Sequence, residues 1–175
     1  MIFIVMGVSG SGKTTVSQQL AQQFKLPFYD ADDFHSAANI ENMSRNIPLT
    51  DDDRSNWLAT LATNIGIWEK AGGAVLACSA LKEKYRTTLQ SKAQQPLHWV
   101  FLDGSRALLL ERMQARKGHY MHAAMLDSQL ETLEKPTYAL CLSITAKPAE
   151  LVSQVITALK NDPVVGTKRA VAMPE

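Results

Sequence analysis

The chain has 175 residues, of which 46% are hydrophobic and 20% are charged, and its formal net charge is +1. This length predicts one domain with a sizeable core, and the near-neutral charge gives no reason to expect a nucleic-acid or membrane partner. No apolar run approaches the ~20 residues of a membrane span, and the apolar start lacks the basic region of a signal peptide. Cys78 and Cys141 lie in apolar, strand-like runs. This predicts two buried thiols without a disulfide and favours a reducing cytoplasm.

Short apolar runs alternate with helical patterns along the chain. The runs predict five buried strands: Ile2–Met6, Leu26–Asp30, Ala74–Cys78, Leu97–Leu102 and Ala139–Ile144. Helical patterns occupy the segments between and after these runs. The predicted helices begin after Gly12, at Thr50 and at Ser79, cover 34–45 weakly, run from Ser105 to about Arg116 and over 123–133, and a last one ends near Lys160. We therefore expect a three-layer α/β/α fold with a five-stranded parallel sheet. We expect this single domain to span 1–160, followed by a tail at 161–175.

The first strand runs directly into a glycine-rich loop with the spacing G-x-x-x-x-G-K-T, from Gly7 to Thr14. A strand, a loop of this spacing and a helix are the context of a P-loop, whose N–H groups wrap a phosphate. Lys13 is expected to reach the β- and γ-phosphates of ATP, and the Thr14 hydroxyl to hold Mg²⁺. The predicted ATP-binding residues of the loop are Gly7, Gly10, Ser11, Gly12, Lys13, Thr14 and Thr15.

Acidic residues follow the second strand, at the rim where a parallel sheet places its ligands. Alternation along an extended exit puts Asp30 and Asp32 on one side. We interpret Asp32 as the carboxylate that accepts the proton of a substrate hydroxyl, and Asp30 as a water-mediated Mg²⁺ partner. The alternative is that these acids cap the next helix, which fits Asp33 best. His35 is either a substrate ligand or an exposed histidine without a special role.

The third strand ends in Cys78 and Ser79, without an acidic residue. GTPases and motor ATPases carry a Walker B carboxylate at this point. The missing acid favours the small-molecule kinases, in which acids after the second strand do that work.

Basic residues occur in two further places. Lys82 and Arg86 are four apart on a predicted helix and, with Arg54, form a candidate clamp for an anionic acceptor; a solvated helix face is the alternative. Arg112 and Arg116 precede a polar interruption and share a helical face. They predict a lid over about 112–135 that lowers arginines onto the nucleotide phosphates. A plain helix C-terminus, which also favours basic residues, is the alternative.

Together these motifs resemble the gluconokinases, a family of the nucleoside-monophosphate-kinase-like P-loop group. The resemblance covers roughly 2–160. It rests on blocks at 6–14, 30–35, 48–57, 78–86, 115–119 and 128–134. It implies ATP:D-gluconate 6-phosphotransferase activity with Mg²⁺, a cytoplasmic location and a homodimer. It also implies that Asp32 orients the C6 hydroxyl, that Arg54, Lys82 and Arg86 face the sugar acid, and that Lys147 and Pro148 lie near adenine.

Two alternatives remain at this point. One is a shikimate kinase-like enzyme acting on another small anionic alcohol. The other is a nucleotide-dependent regulatory switch, which would be expected to carry a Walker B acid and a water-positioning residue.

Overall fold

The structure is a computed structural model that describes residues 1–45, 47–115 and 123–161. Its five strands are β1 Ile2–Met6, β2 Phe28–Asp30, β3 Ala74–Ala77, β4 His98–Asp103 and β5 Leu140–Ser143. The helices are α1 Lys13–Phe24, α2 Ala37–Ser44, α3 Asp51–Lys70, α4 Glu83–Gln90, α5 Arg106–Ala115, α6 Ala123–Thr132 and α7 Pro148–Asn161, and a 3₁₀ turn covers Ala31–Phe34. The strands form one sheet in the order β2-β3-β1-β4-β5, and every pair is parallel.

The central strand β1 is buried on both faces, as its continuous apolar sequence predicts. Ile2, Ile4 and Met6 belong to a core that α3 and α4 cover. Phe3 and Val5 belong to a second core, to which α1, α5, α6 and α7 contribute. Successive side chains of a strand point to opposite faces, so β1 joins two separate cores. This confirms the predicted three-layer α/β/α fold.

Parallel pairing places the carboxyl ends of all five strands at one rim. β1 is in the middle, with the exits of β2 and β3 on one side and those of β4 and β5 on the other. The loop after β1 therefore lies between two groups of loops, which gives a central site with two flanking sides.

The long helix α3 begins with a reciprocal cap. The Thr50 hydroxyl accepts a hydrogen bond from the Asp53 N–H at 3.1 Å, and the Asp53 carboxylate accepts one from the Thr50 N–H at 2.8 Å. These two bonds satisfy two N–H groups that the helix start would otherwise leave unpaired. The predicted opening at Thr50 is confirmed, with Thr50 rather than an aspartate as the N-cap residue.

Helix α4 begins at Glu83, so the predicted start at Ser79 is wrong. Lys82 is the N-cap residue in an extended conformation, and its side chain makes no capping bond. The carboxylate of Glu134 supplies the cap instead, accepting from the Glu83 N–H at 2.6 Å. Because this partner lies 51 positions away, no local pattern marks the start of the helix.

Cys78 is buried as predicted, but Cys141 is exposed on the edge strand β5, so the prediction of a buried thiol there is wrong; both are free. The middle of the predicted lid, 116–122, and the predicted tail from 162 onward lie outside the described residues. Within the described part, no helix is long and apolar enough to cross a membrane.

The turn before β3 gives a test of the fold. Gly72 and Gly73 both have positive φ angles, of 112° and 131°. A Cβ atom on Gly73 would lie 2.1 Å from the Met1 carbonyl oxygen, whereas one on Gly72 would meet nothing within 4 Å. We expect Gly72→Ala to lower the free energy of unfolding by about 1–3 kcal/mol through strain alone. Gly73→Ala should cost clearly more in urea unfolding. Equal losses for the two variants would contradict the close packing of Met1 against this turn.

Candidate active site

The phosphate loop, 7–14, joins β1 to α1. Gly12 is the N-cap residue of α1 and brings no side chain, so the first N–H groups of this helix have no side-chain cap. Uncapped N–H groups and the positive end of the helix dipole form an anion site. Within the loop, the Lys13 ammonium and the Ser11 N–H both donate to the Val8 carbonyl, at 3.1 and 3.3 Å. These two bonds hold the loop in a turn around the Val8 carbonyl oxygen.

Gly10 is the position where the loop packs most tightly against α5. Its φ is +81°, and a Cβ atom there would lie 2.8 Å from Met113 Cγ and 3.1 Å from the Leu109 carbonyl oxygen. A side chain at this position would be strained and would push the loop off α5. Glycine at this position therefore allows the loop to approach α5 closely.

The acids after β2 lie beside the phosphate loop. The Thr14 hydroxyl donates to Asp30 Oδ2 at 3.4 Å, so the two predicted Mg²⁺ partners are adjacent. The other oxygen of Asp30 accepts from the Asp32 N–H at 3.1 Å and caps the 3₁₀ turn. The chain therefore turns here, and the predicted extended alternation is wrong. The predicted capping role of Asp33 is also wrong, because Ser36 caps α2.

Asp32 lies in the 3₁₀ turn that Asp30 caps, next to the phosphate loop. Partial desolvation by the surrounding protein, followed by the charge of Asp30, raises the pKa of Asp32, while His35 and Lys13 oppose this change. The Asp32 side chain is 79% exposed, so solvent screens these effects. Since the Lys13 ammonium acts on this carboxylate, the phosphate loop and the acid cluster are electrostatically coupled. A raised pKa makes the carboxylate a better proton acceptor.

His35 is held rigidly next to Asp32. Its side chain is 4% exposed, and its ring stacks on Trp57 at 4.3 Å between centroids and 13° between planes. The Asn39 amide nitrogen lies 3.4 Å from Nδ1, and Nε2 lies 3.9 Å from Asp32 Oδ1. Burial lowers the pKa of His35, so the ring favours its neutral form. The alternative of an exposed histidine is wrong.

Basic residues lie near Tyr85 on the β3 side of the rim. Lys82 Nζ lies 3.2 Å from Asp51 Oδ1, and Asp51 also binds the Lys84 ammonium and the Tyr85 hydroxyl. Lys84, Tyr85 and then Lys82 hold the pKa of Asp51 well below its usual range. The Arg54 guanidinium lies 5.8 Å from the centre of the Tyr85 ring, and Lys82 Nζ 5.7 Å from it. The positive charges of Arg54 and Lys82 thus both lie within 5.8 Å of the centre of the Tyr85 ring.

Arg86 has a different role from the one that its sequence position predicts. It is 2% exposed, and its NH1 group donates to the carbonyls of Ala80 and Leu81 at 2.8 and 3.2 Å. Its other N–H groups donate to Glu83, Tyr138 and the Glu134 carbonyl. Lys82 lies before α4, so the predicted shared helical face is wrong, and every Arg86 donor has a protein acceptor. Arg86 anchors the loop after β3 and has no donor left for an acceptor carboxylate.

Arg112 lies on the opposite side of the phosphate loop. Its Nη2 donates to the Ile144 carbonyl at 2.6 Å, at the exit of β5. This contact fixes the end of α5 to the β5 rim, next to Lys147 and Pro148 in the chain. Arg116 lies outside the described residues.

Three contributors to the site escaped sequence reasoning. Asn39 is buried, bonds to the Asp53 carbonyl at 2.8 Å and fixes the His35 ring. Gln129 and Glu134 contact the phosphate loop and the start of α4. The block 128–134 is among those that carry the family resemblance, and this is the only sequence signal that pointed to the last two.

The chain matches known proteins over most of its length. The family model described as shikimate kinase matches residues 9–161. The thermosensitive gluconokinase of Escherichia coli (strain K12) is 44% identical over 135 residues, which cover 77% of this chain and 72% of that protein. The gluconokinase of Gluconobacter oxydans (strain 621H) is 48% identical over 134 residues, covering 76% and 75%. A solved gluconokinase structure from Sinorhizobium meliloti 1021 has a TM-score of 0.85 at 40% identity, covering 97% of this chain and 96% of that one.

The raised pKa of Asp32 predicts a dependence of stability on pH. A folded-state pKa above the ordinary value of 3.8 means that the folded protein favours the protonated carboxyl, so the associated stability is present below pH 3.8 and is lost as the pH rises through the folded-state pKa. Asp32→Asn removes the charge, and we expect its free energy of unfolding relative to the wild type to increase as the pH rises from 4 to 7. Urea unfolding measures this. Asp33→Asn, which removes a charge one residue away, is the control. A constant difference for Asp32→Asn across this range would contradict the prediction.

Proposed function

The chain belongs to the gluconokinase family, within the wider group that the shikimate kinase model describes, and we propose that it transfers the γ-phosphoryl group of ATP to the C6 hydroxyl of D-gluconate. The carrying observation is the contact between the phosphate loop and the acids after β2: the Thr14 hydroxyl donates to Asp30 Oδ2 at 3.4 Å, and Asp30 Oδ1 accepts from the Asp32 N–H at 3.1 Å. Phosphoryl transfer needs a phosphate cradle and a group that orients the acceptor hydroxyl at the same point. The rim of this sheet offers both.

The proposed reaction uses the chain's own groups at each step. The C6 hydroxyl oxygen forms a bond to the γ-phosphorus, and the bond from that phosphorus to the oxygen bridging the β- and γ-phosphates breaks, which gives ADP and 6-phosphogluconate. The hydroxyl proton passes to Asp32. Lys13 and the N–H groups of the phosphate loop stabilise the negative charge on the moving group. The ATP contacts proposed for the loop are those of Gly7, Gly10, Ser11, Gly12, Lys13, Thr14 and Thr15.

We propose Thr14 and Asp30 as the residues that hold Mg²⁺. Their side chains present hydroxyl and carboxylate oxygens 3.4 Å apart, and oxygen donors are the ligands that Mg²⁺ prefers. Within 1–45, 47–115 and 123–161 no group of three or more His, Cys, Asp or Glu side chains forms a metal site. Two protein oxygens fit an ion that keeps waters and binds substrate phosphates. When bound, it would neutralise charge on the β- and γ-phosphates.

Recognition of the acceptor is proposed for the β2 and β3 side of the rim. Arg54 and Lys82 both approach Tyr85 and supply positive charge for the gluconate carboxylate. His35 is proposed to steady Asp32 and meet a substrate hydroxyl, which its fixed, neutral ring supports. Arg86 is left out of this set because its donors are engaged in the protein.

The remaining parts of the proposal rest on the family resemblance. Arg112 and Arg116 are proposed to contact ATP from a lid over about 112–135, within a single kinase domain over 1–160. The bond from Arg112 to the β5 exit supports a position on the nucleotide side. A cytoplasmic homodimer is proposed on the same resemblance.

The choice between gluconate and shikimate is open to a direct assay. The gluconokinase relatives favour gluconate. ATP consumption measured with each acid, and ³¹P NMR of the product, should show turnover with D-gluconate and a phosphate monoester at C6. Turnover with shikimate but not with D-gluconate would contradict the assignment.

Asp32→Asn should lower kcat by ~10²–10⁴-fold, because the amide cannot accept the hydroxyl proton. The KM for ATP should change by less than about twofold, because the phosphate loop is intact. Asp33→Asn is the matched control and should keep near wild-type turnover. Wild-type kcat in Asp32→Asn would remove this carboxylate from the mechanism.

A further inference from the structure

The side chain of Gln129 binds the phosphate loop at Ser9. Gln129, on α6, accepts a hydrogen bond from the Ser9 N–H at 2.7 Å through Oε1 and donates one to the Ser9 hydroxyl at 3.0 Å through Nε2. The two residues are 120 positions apart in the chain. The amide of Gln129, in one orientation, therefore hydrogen-bonds both the backbone and the side chain of Ser9.

Ser9 lies in a part of the phosphate loop where these two hydrogen bonds can affect ligand binding. It lies between Gly7 and Gly10, which both have positive φ angles, so the unconstrained loop has many accessible conformations. A loop that must be ordered on binding loses affinity through the entropy of ordering. By accepting from the Ser9 N–H and donating to the Ser9 hydroxyl, Gln129 restricts the loop before any anion arrives.

The same segment also holds the loop after β3. The Glu134 carboxylate accepts from the Glu83 N–H at 2.6 Å, and the Glu134 N–H donates to the Leu81 carbonyl at 2.9 Å. Arg86 adds a bond from its Nη2 to the Glu134 carbonyl at 2.8 Å. These contacts fix Lys82, the N-cap residue of α4, on the side of the rim proposed for the acceptor.

We propose that Gln129 and Glu134 are positioning residues that set the two substrate sides of the rim relative to each other. Gln129 orders the phosphate loop for the nucleotide, and Glu134 orders the loop that carries Lys82 for the acceptor. The second half rests on the proposed function, whereas the first requires only that the phosphate loop binds ATP. Two residues five positions apart should then affect different substrates.

A double-mutant cycle tests the Gln129 half. Gln129→Met keeps the length of the side chain and removes both hydrogen bonds, and Ser9→Ala removes only the bond to the hydroxyl. The Kd of a non-hydrolysable ATP analogue, measured by calorimetry without gluconate, should rise about tenfold for Gln129→Met and about threefold for Ser9→Ala. The double variant should also rise about tenfold, because the contact is already lost.

A double variant that is weakened about thirtyfold would show that the two changes act independently and would overturn the proposal. So would an unchanged Kd in Gln129→Met with a wild-type Tm. If Gln129→Met does not fold, Ser9→Ala decides alone, and a Kd indistinguishable from that of the wild type contradicts the contact. Glu131→Gln, at an exposed position of the same helix, is the matched control and should leave Kd and Tm unchanged.

Steady-state kinetics test the Glu134 half. Glu134→Ala should raise the KM for gluconate about fivefold and leave the Kd of the ATP analogue within about twofold, the opposite split from Gln129→Met. Equal changes for both substrates, in step with a lower Tm, would reduce Glu134 to a purely structural role and overturn this half. A wild-type enzyme that binds the analogue but does not phosphorylate gluconate would instead refute the proposed function, and the Gln129 result would stand.

Discussion

The uncapped start of α1 is the feature on which the rest of the site depends. The first N–H groups of a helix need an acceptor from outside the helix, and here Gly12 supplies none, so water or a bound anion can meet them. The burial of β1 on both faces keeps this helix start in place, because the strand cannot shift without disturbing two cores. Anion affinity at the centre of the rim is thus a consequence of how the middle strand is packed.

The same logic extends to the charged groups around the loop. Asp32 keeps its place although partial desolvation and then the charge of Asp30 raise its pKa, and His35 is nearly buried although burial lowers its pKa and favours the neutral form. Such arrangements reduce stability in the absence of ligand and are typical of sites that move protons. On the β3 side, Asp51 pairs with Lys82, which partly neutralises the positive charge before an acceptor arrives.

Local sequence predicted most of the fold and the central part of the site. The apolar run of β1, the glycine spacing after it and the capped start of α3 are local signals, and the structure agrees with them. Two of the failures share one cause, which is a partner distant in the chain, whereas the extended alternation of the acids after β2 fails locally, because Asp30 caps the Asp32 N–H. Glu134 caps α4 across 51 positions. The Glu134 carbonyl and the Tyr138 hydroxyl, 48 and 52 positions from Arg86, engage its guanidinium, so a basic residue predicted to be a ligand is an internal anchor. Cys141 differs because β5 is an edge strand, which strand sequence alone does not reveal.

The most direct measurement is a crystal structure with a non-hydrolysable ATP analogue and D-gluconate bound together. We predict that the γ-phosphate lies within hydrogen-bond distance of Lys13 and of N–H groups at the start of α1, and that the C6 hydroxyl of gluconate lies within about 3.2 Å of the Asp32 carboxylate. A nucleotide whose phosphates lie away from the phosphate loop, or a gluconate whose C6 hydroxyl points away from Asp32, would contradict it.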